Sequence, residues 1–149
     1  MTRAILFIAA FFCLTVTAHA QAPGKELATA VLKNNLAAAE TLLTAGANPN
    51  AVVEVVPGFP TTCLITAATD GSLDLVKLLL KHKAQVNQPD GFKATALMAA
   101  AAKGNQALVE LLLASGADAQ AKDNEGKDAL ALARESGNPA VVALLEKAK

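Results

Sequence analysis

Apolar residues recur at helical spacing in short blocks, and the blocks return at a fixed interval. Leu64–Ile65–Thr66–Ala67–Ala68 leads to Gly71 and is followed by Leu75–Val76–Lys77–Leu78–Leu79–Leu80. Leu97–Met98–Ala99–Ala100–Ala101 leads to Gly104 and is followed by Leu108–Val109–Glu110–Leu111–Leu112–Leu113. The interval is 33 residues, from Leu64 to Leu97 to Leu130 and from Gly71 to Gly104 to Gly137. Each block predicts a first helix carrying Leu and Ala, a polar turn (Asp70–Gly71, Lys103–Gly104, Ser136–Gly137) and a second helix with a strong apolar stripe. Thr62, Thr95 and Asp128 stand where a side-chain oxygen caps the first helix, worth ~1 kcal/mol each. Gly46 and Gly116 stand where a left-handed residue closes the second helix, and Lys83 takes that place in the second unit. A unit of this size cannot bury its own apolar face, so it must stack on copies of itself. Four units are expected, at about 25–50, 51–87, 88–120 and 121–149, the outer two acting as caps.

The first twenty residues fall outside this pattern. Arg3 gives a positive start, Ala4 to Val16 is a short apolar run, and Ala18–His19–Ala20 has the small-x-small form of a signal-peptide cleavage site. The run of thirteen residues is short of the roughly 17–25 that a spanning helix needs. A cleaved signal peptide over 1–20 and an exported domain over 21–149 are expected. Localisation is then periplasmic or secreted.

Without residues 1–20, twelve basic side chains face thirteen acidic ones. A nearly neutral chain with its charges interspersed offers no footprint for nucleic acid or for an anionic membrane surface. Beyond residue 20 there is one cysteine, Cys63, so no intramolecular disulfide forms even in an oxidising compartment. Stability must come from packing.

Three segments carry a family resemblance: Ala45–Gly46–Ala47–Asn48–Pro49–Asn50, Lys83–Ala84–Gln85–Val86–Asn87 and Ser115–Gly116–Ala117–Asp118–Ala119–Gln120. They resemble the G-A-D-V-N turn of the ankyrin repeat, in one register from Lys25 to the C-terminus. The family's T-P-L-H tetrapeptide is represented by Thr62–Cys63–Leu64–Ile65, Thr95–Ala96–Leu97–Met98 and Asp128–Ala129–Leu130–Ala131. Proline and histidine are missing from all three, so apolar contacts are expected in place of the family's histidine network. The resemblance implies an all-α solenoid of helix-turn-helix repeats with β-turn fingers.

Little in the chain could run a reaction. Cys63 and His82 are the sole thiol and imidazole after residue 20, and the register puts them at opposite ends of the second unit, out of reach for a nucleophile–base pair. A helix N-terminus would make Cys63 more reactive, which leaves a thiol-based redox sensor as an alternative to simple occupation of the family's proline position. No His/Cys cluster suggests zinc. The acidic pairs Asp118/Asp123 and Asp123/Glu125 read as turn chemistry rather than as calcium ligands or acid–base catalysts. No catalytic residue, cofactor or metal is expected.

The resemblance implies that a partner protein binds on the concave side, built from fingers and first helices. One finger is unusual. From Asn87 to Thr95 the connection spans 8 positions, whereas from Asn50 to Thr62 it spans 12. The extra residues lie within Val52–Val53–Glu54–Val55–Val56–Pro57–Gly58–Phe59–Pro60, which reads as an extended arm with a turn. Phe59 is on this arm and Phe92 is on the next finger. These aromatics either anchor a partner or pack on each other as a satellite of the core. The candidate partner-binding residues are Val53, Val55, Phe59, Thr69, Asp70, Phe92, Met98 and Lys103, with Glu135 on the polar rim. A monomer is expected, self-association through the 52–60 finger being the other option. The resemblance to exported bacterial ankyrin proteins implies a non-enzymatic interaction module. Support of a periplasmic enzyme in peroxide defence, or immunity-type inhibition of a toxin, are the roles it suggests.

Overall fold

Each predicted helix pair is present, and the units stack in register. A computed structural model describes residues 23–148; the signal-peptide expectation for residues 1–20 lies outside them. In chain order the elements are α1 (Pro23–Leu32), α2 (Leu36–Thr44), β1 (Val52–Val56), β2 (Phe59–Thr62), α3 (Cys63–Asp70) and α4 (Leu73–Lys81). They continue with α5 (Ala96–Ala102), α6 (Gln106–Ala114), α7 (Ala129–Ser136) and α8 (Pro139–Lys147).

The first helices α1, α3, α5 and α7 pack on one another in series, and α2, α4, α6 and α8 form a second layer behind them. Small side chains make the first layer possible: Ala67, Ala68, Ala100, Ala101 and Ala133 are completely buried, so neighbouring backbones approach closely. Leu75, Val76, Leu79, Leu108, Val109 and Leu112 from the second layer fill the space behind, with Val141 and Leu145 closing the C-terminal unit. Burying each Leu or Val contributes about 1.5–3 kcal/mol. Ile65 and Met98, which stand where the family has histidine, are buried among these apolar residues.

The caps lie where the sequence puts them. The hydroxyls of Thr62 and Thr95 accept from the Ile65 and Met98 N–H groups, and the Asp128 carboxylate accepts from the Ala131 N–H at 2.8 Å. Asn35, Asn105 and Asn138 cap the second helices in the same way. Between units an asparagine ladder locks the turns. Asn50 donates to the Lys83 carbonyl and accepts from the Gln85 N–H at 2.7 Å. One unit on, Asn87 donates to the Gly116 carbonyl and accepts from the Asp118 N–H at 2.8 Å. The backbone at Lys83 is left-handed (φ 67°), as its place between Gly46 and Gly116 requires.

The all-α expectation holds for the stack, and the long finger adds a two-stranded antiparallel hairpin. Val52 pairs with Thr62, Val53 with Thr61, Glu54 with Pro60 and Val56 with Phe59, with an irregularity between Glu54 and Val56. The four additional residues therefore extend the finger into regular structure. Among the described residues, no helix is long and apolar enough to cross a membrane.

Candidate functional site

The hairpin and the following finger form one projecting surface. The β2 strand leads directly into α3, capped by Thr62, so the hairpin is anchored at its base. The next finger docks on its outer side through the Gly91 N–H, which donates to the Pro60 carbonyl at 3.0 Å. This approach demands a residue without Cβ. A Cβ at Gly91 would sit 2.8 Å from Pro60 Cγ and 3.1 Å from its Cδ, closer than van der Waals contact allows.

The two aromatics meet at this joint. The rings of Phe59 and Phe92 lie 5.4 Å apart at 30°, an offset stack. Each remains 49% exposed. Packing and exposure thus coexist: the pair is held by its own contact and still presents an apolar face. Val52, Val55 and Val56 are exposed on the hairpin as well, so the projection leaves several large apolar groups open to solvent, a feature that marks interaction sites.

Asp90, not singled out from sequence, sets the position of Phe92. Its carboxylate accepts from the Phe92 N–H at 2.8 Å and the Ala94 N–H at 2.9 Å, and its own N–H donates to the Ala94 carbonyl. Asp123 does the same one repeat later, accepting from the Glu125 and Lys127 N–H groups. The 33-residue spacing of the two aspartates was the available signal.

The remaining candidates divide into three groups. Val53 and Met98 are buried, at 8% and 1% exposure, and so belong to the core rather than to a contact surface. Val53 points inward from the hairpin and Met98 fills the joint in α5. Val55 stays with the exposed finger set. Thr69, Asp70 and Lys103 are exposed but lie at the far ends of the first helices, about 10 Å along the axis from the finger bases at 1.5 Å per residue. They form a separate polar rim. Glu135 pairs there with Lys127 at 3.0 Å, and this hydrogen bond, aided by Glu125, raises the lysine's pKa.

Cys63 starts α3 but is wholly buried. Desolvation outweighs the favourable backbone contact and pushes the thiol up to about 11, opposite to the lowering expected from a helix N-terminus alone. At neutral pH the group is a small neutral hydrophobe. The described residues contain no group of three or more His, Cys, Asp or Glu side chains that could hold a metal ion. Asp118 and Asp123 are occupied with turn N–H groups.

A cleft of about 610 Å³ runs beside the hairpin, between β1 and the start of α1, and is lined by Lys25, Ala51, Val53 and Glu54 among others. It continues along α1 past Ala28 and Leu32. The site is thus a half-exposed apolar projection flanked by a groove.

No curated protein matches the chain significantly. The family model for ankyrin repeats in three copies matches residues 27–123 and again 64–149. Together with four stacked helix pairs and their fingers, that match shows that the chain belongs to the ankyrin-repeat family, whose members are generally protein–protein interaction modules.

Proposed function

We propose that the protein is a non-enzymatic binding module that acts as a monomer in the periplasm and holds a partner protein against its fingers and concave face. The observation that carries this reading is the stacked yet half-exposed Phe59–Phe92 pair on a docked hairpin. Buried aromatic anchors commonly dominate interface energy. Here the anchor is already ordered, so little side-chain entropy is lost on binding. The periplasmic assignment rests on the charge, apolar run and Ala18–His19–Ala20 pattern of residues 1–20.

The test is affinity capture from periplasmic extract with the chain 21–149 and with its Phe59→Ser/Phe92→Ser variant. A specific protein retained by the first and lost by the second is the expected result. Identical captures with the two baits would refute the finger reading. N-terminal sequencing of the exported protein should give Gln21, and a chain that stays in the cytoplasm would remove the periplasmic assignment.

A further inference from the structure

We propose that the outer edge of β1 takes up an extended strand of the partner protein: an alternating apolar segment with a cationic residue opposite Glu54. This rests on the protein-binding reading and specifies where and how the partner is held.

The fingers are joined into a ribbon by main-chain bonds. Gly91 N–H donates to the Pro60 carbonyl at 3.0 Å, and Asn124 N–H donates to the Phe92 carbonyl at 2.9 Å. In an antiparallel pair the N–H and C=O of one residue point to the same side. Pro60 directs its carbonyl to Gly91, away from β1, and as a proline it has no N–H to leave unmade. The pair Glu54–Pro60 is therefore a non-hydrogen-bonded one, and the N–H and C=O of Glu54 also point away from β2. Val52, two residues back, is oriented in the same way. Among the described residues neither main chain has a partner on that side. Among the described residues the ribbon is paired at its internal joints and open at β1.

The repeat register explains the opening. Leu27 corresponds to Leu64, Leu97 and Leu130, so the position matching Gly91 and Asn124 is residue 21. Cleavage after Ala20, proposed above, would remove the residues from which a first finger could be built. The groove between β1 and α1 is the slot that a first finger would occupy. A strand added there would cover Val52 and the exposed Leu32 while pairing with the main chain of β1.

Charge selects the occupant. Glu54 is the central residue of Val52–Val56, so a second copy pairing in full register about a twofold axis sets Glu54 against Glu54. Like charges directly opposite are destabilising, and a charge on an open edge blocks self-pairing. Sliding the pair by two residues avoids this clash but leaves three residues in the ladder. The Glu54 carboxylate is engaged only by the Gly58 N–H at 3.4 Å among the described residues, so it can receive a cation from an incoming strand.

The test is an NMR titration of ¹⁵N-labelled chain 21–149 with two capped peptides, Ser-Thr-Val-Lys-Val-Thr-Ser and its Glu-for-Lys counterpart. The Val52 and Glu54 amides should shift saturably with the lysine peptide, and the glutamate peptide should bind about threefold to tenfold more weakly. Glu54→Lys should invert that order. Glu54→Pro removes an outward N–H while keeping the bonds to β2, and should abolish binding; if that variant fails to fold, the Glu54→Lys inversion decides. No saturable shift at Val52 and Glu54, or binding that survives in folded Glu54→Pro, overturns the proposal. So does a dimer in sedimentation at neutral pH that Glu54→Pro dissolves, since the edge would then serve a second copy. If Glu54→Pro still captures the protein that Phe59→Ser/Phe92→Ser loses, the edge is refuted and the protein-binding reading stands.

Discussion

Lys83 stands in the left-handed conformation at the close of the second repeat, with φ 67°, where the flanking repeats have Gly46 and Gly116 at φ 95° and 87°. A side chain in this region crowds the following carbonyl and costs about 1–2 kcal/mol. Glycine avoids that cost but gains freedom in the unfolded chain, which takes back about 0.4–1 kcal/mol. Lys83→Gly should therefore stabilise the fold by roughly 0.5–1 kcal/mol. The lysine side chain is exposed and forms no ion pair among the described residues. Its N–H to Leu80 and its carbonyl to Asn50 are main-chain groups that glycine keeps.

Urea unfolding of the chain 21–149, followed by helical circular dichroism, reads the effect. With a slope of ~2 kcal/mol per M the midpoint should rise by roughly 0.4 M at unchanged slope. Gly116→Lys is the mirror experiment. A Cβ there meets nothing within 4 Å, so its loss of about the same size isolates the backbone term. A lower or unchanged midpoint for Lys83→Gly, with Gly116→Lys also neutral, would refute the conformational argument.

Three further outcomes are expected. The Cys63 thiol ionises near 9 in the unfolded chain and near 11 in the folded one; stability is therefore full below pH 9 and falls as pH rises from about 9 to 11, by about 1 kcal/mol at pH 10. Cys63→Ala should flatten that decline in urea titrations across pH, and a thiol reagent at pH 8 should label native protein only at the rate of opening. Gly91→Ala drives a Cβ into the Pro60 ring and should cost about 1–3 kcal/mol, with increased hydrogen exchange in the finger; a wild-type midpoint would show that the joint is soft. Asp90→Ala frees the Phe92 and Ala94 N–H groups. It should destabilise by about 1 kcal/mol and weaken capture of the partner, and Asp90→Asn, which keeps an acceptor, should recover most of both.

The stack was legible in the sequence because each repeat restates the same constraints. Ala at the contact face, Leu behind, a capping oxygen in front and a left-handed residue after form a set that few other folds would need at 33-residue spacing. The finger was legible as an extended arm with a turn, but not which of its faces is buried. Its strand contains Val52, Val53, Val55 and Val56 around a single Glu54, and the alternation that normally tells the inward face from the outward one is silent when nearly every position is valine. Pairing decided it: the missing N–H of Pro60 and the bare Cα of Gly91 fix the register, and Val53 turns inward as a result. Met98 stands where the family has histidine, and its near-complete burial keeps it with the core rather than with the finger surface. The pair Phe59–Phe92 shows where the two readings of one patch converge. An anchor that is unsupported in the free protein would have to be ordered by its partner, whereas one wholly packed away would offer no area. Stacking at 5.4 Å with half of each ring left open satisfies both demands, so in the proposed binding role the contact that looks structural prepares the surface.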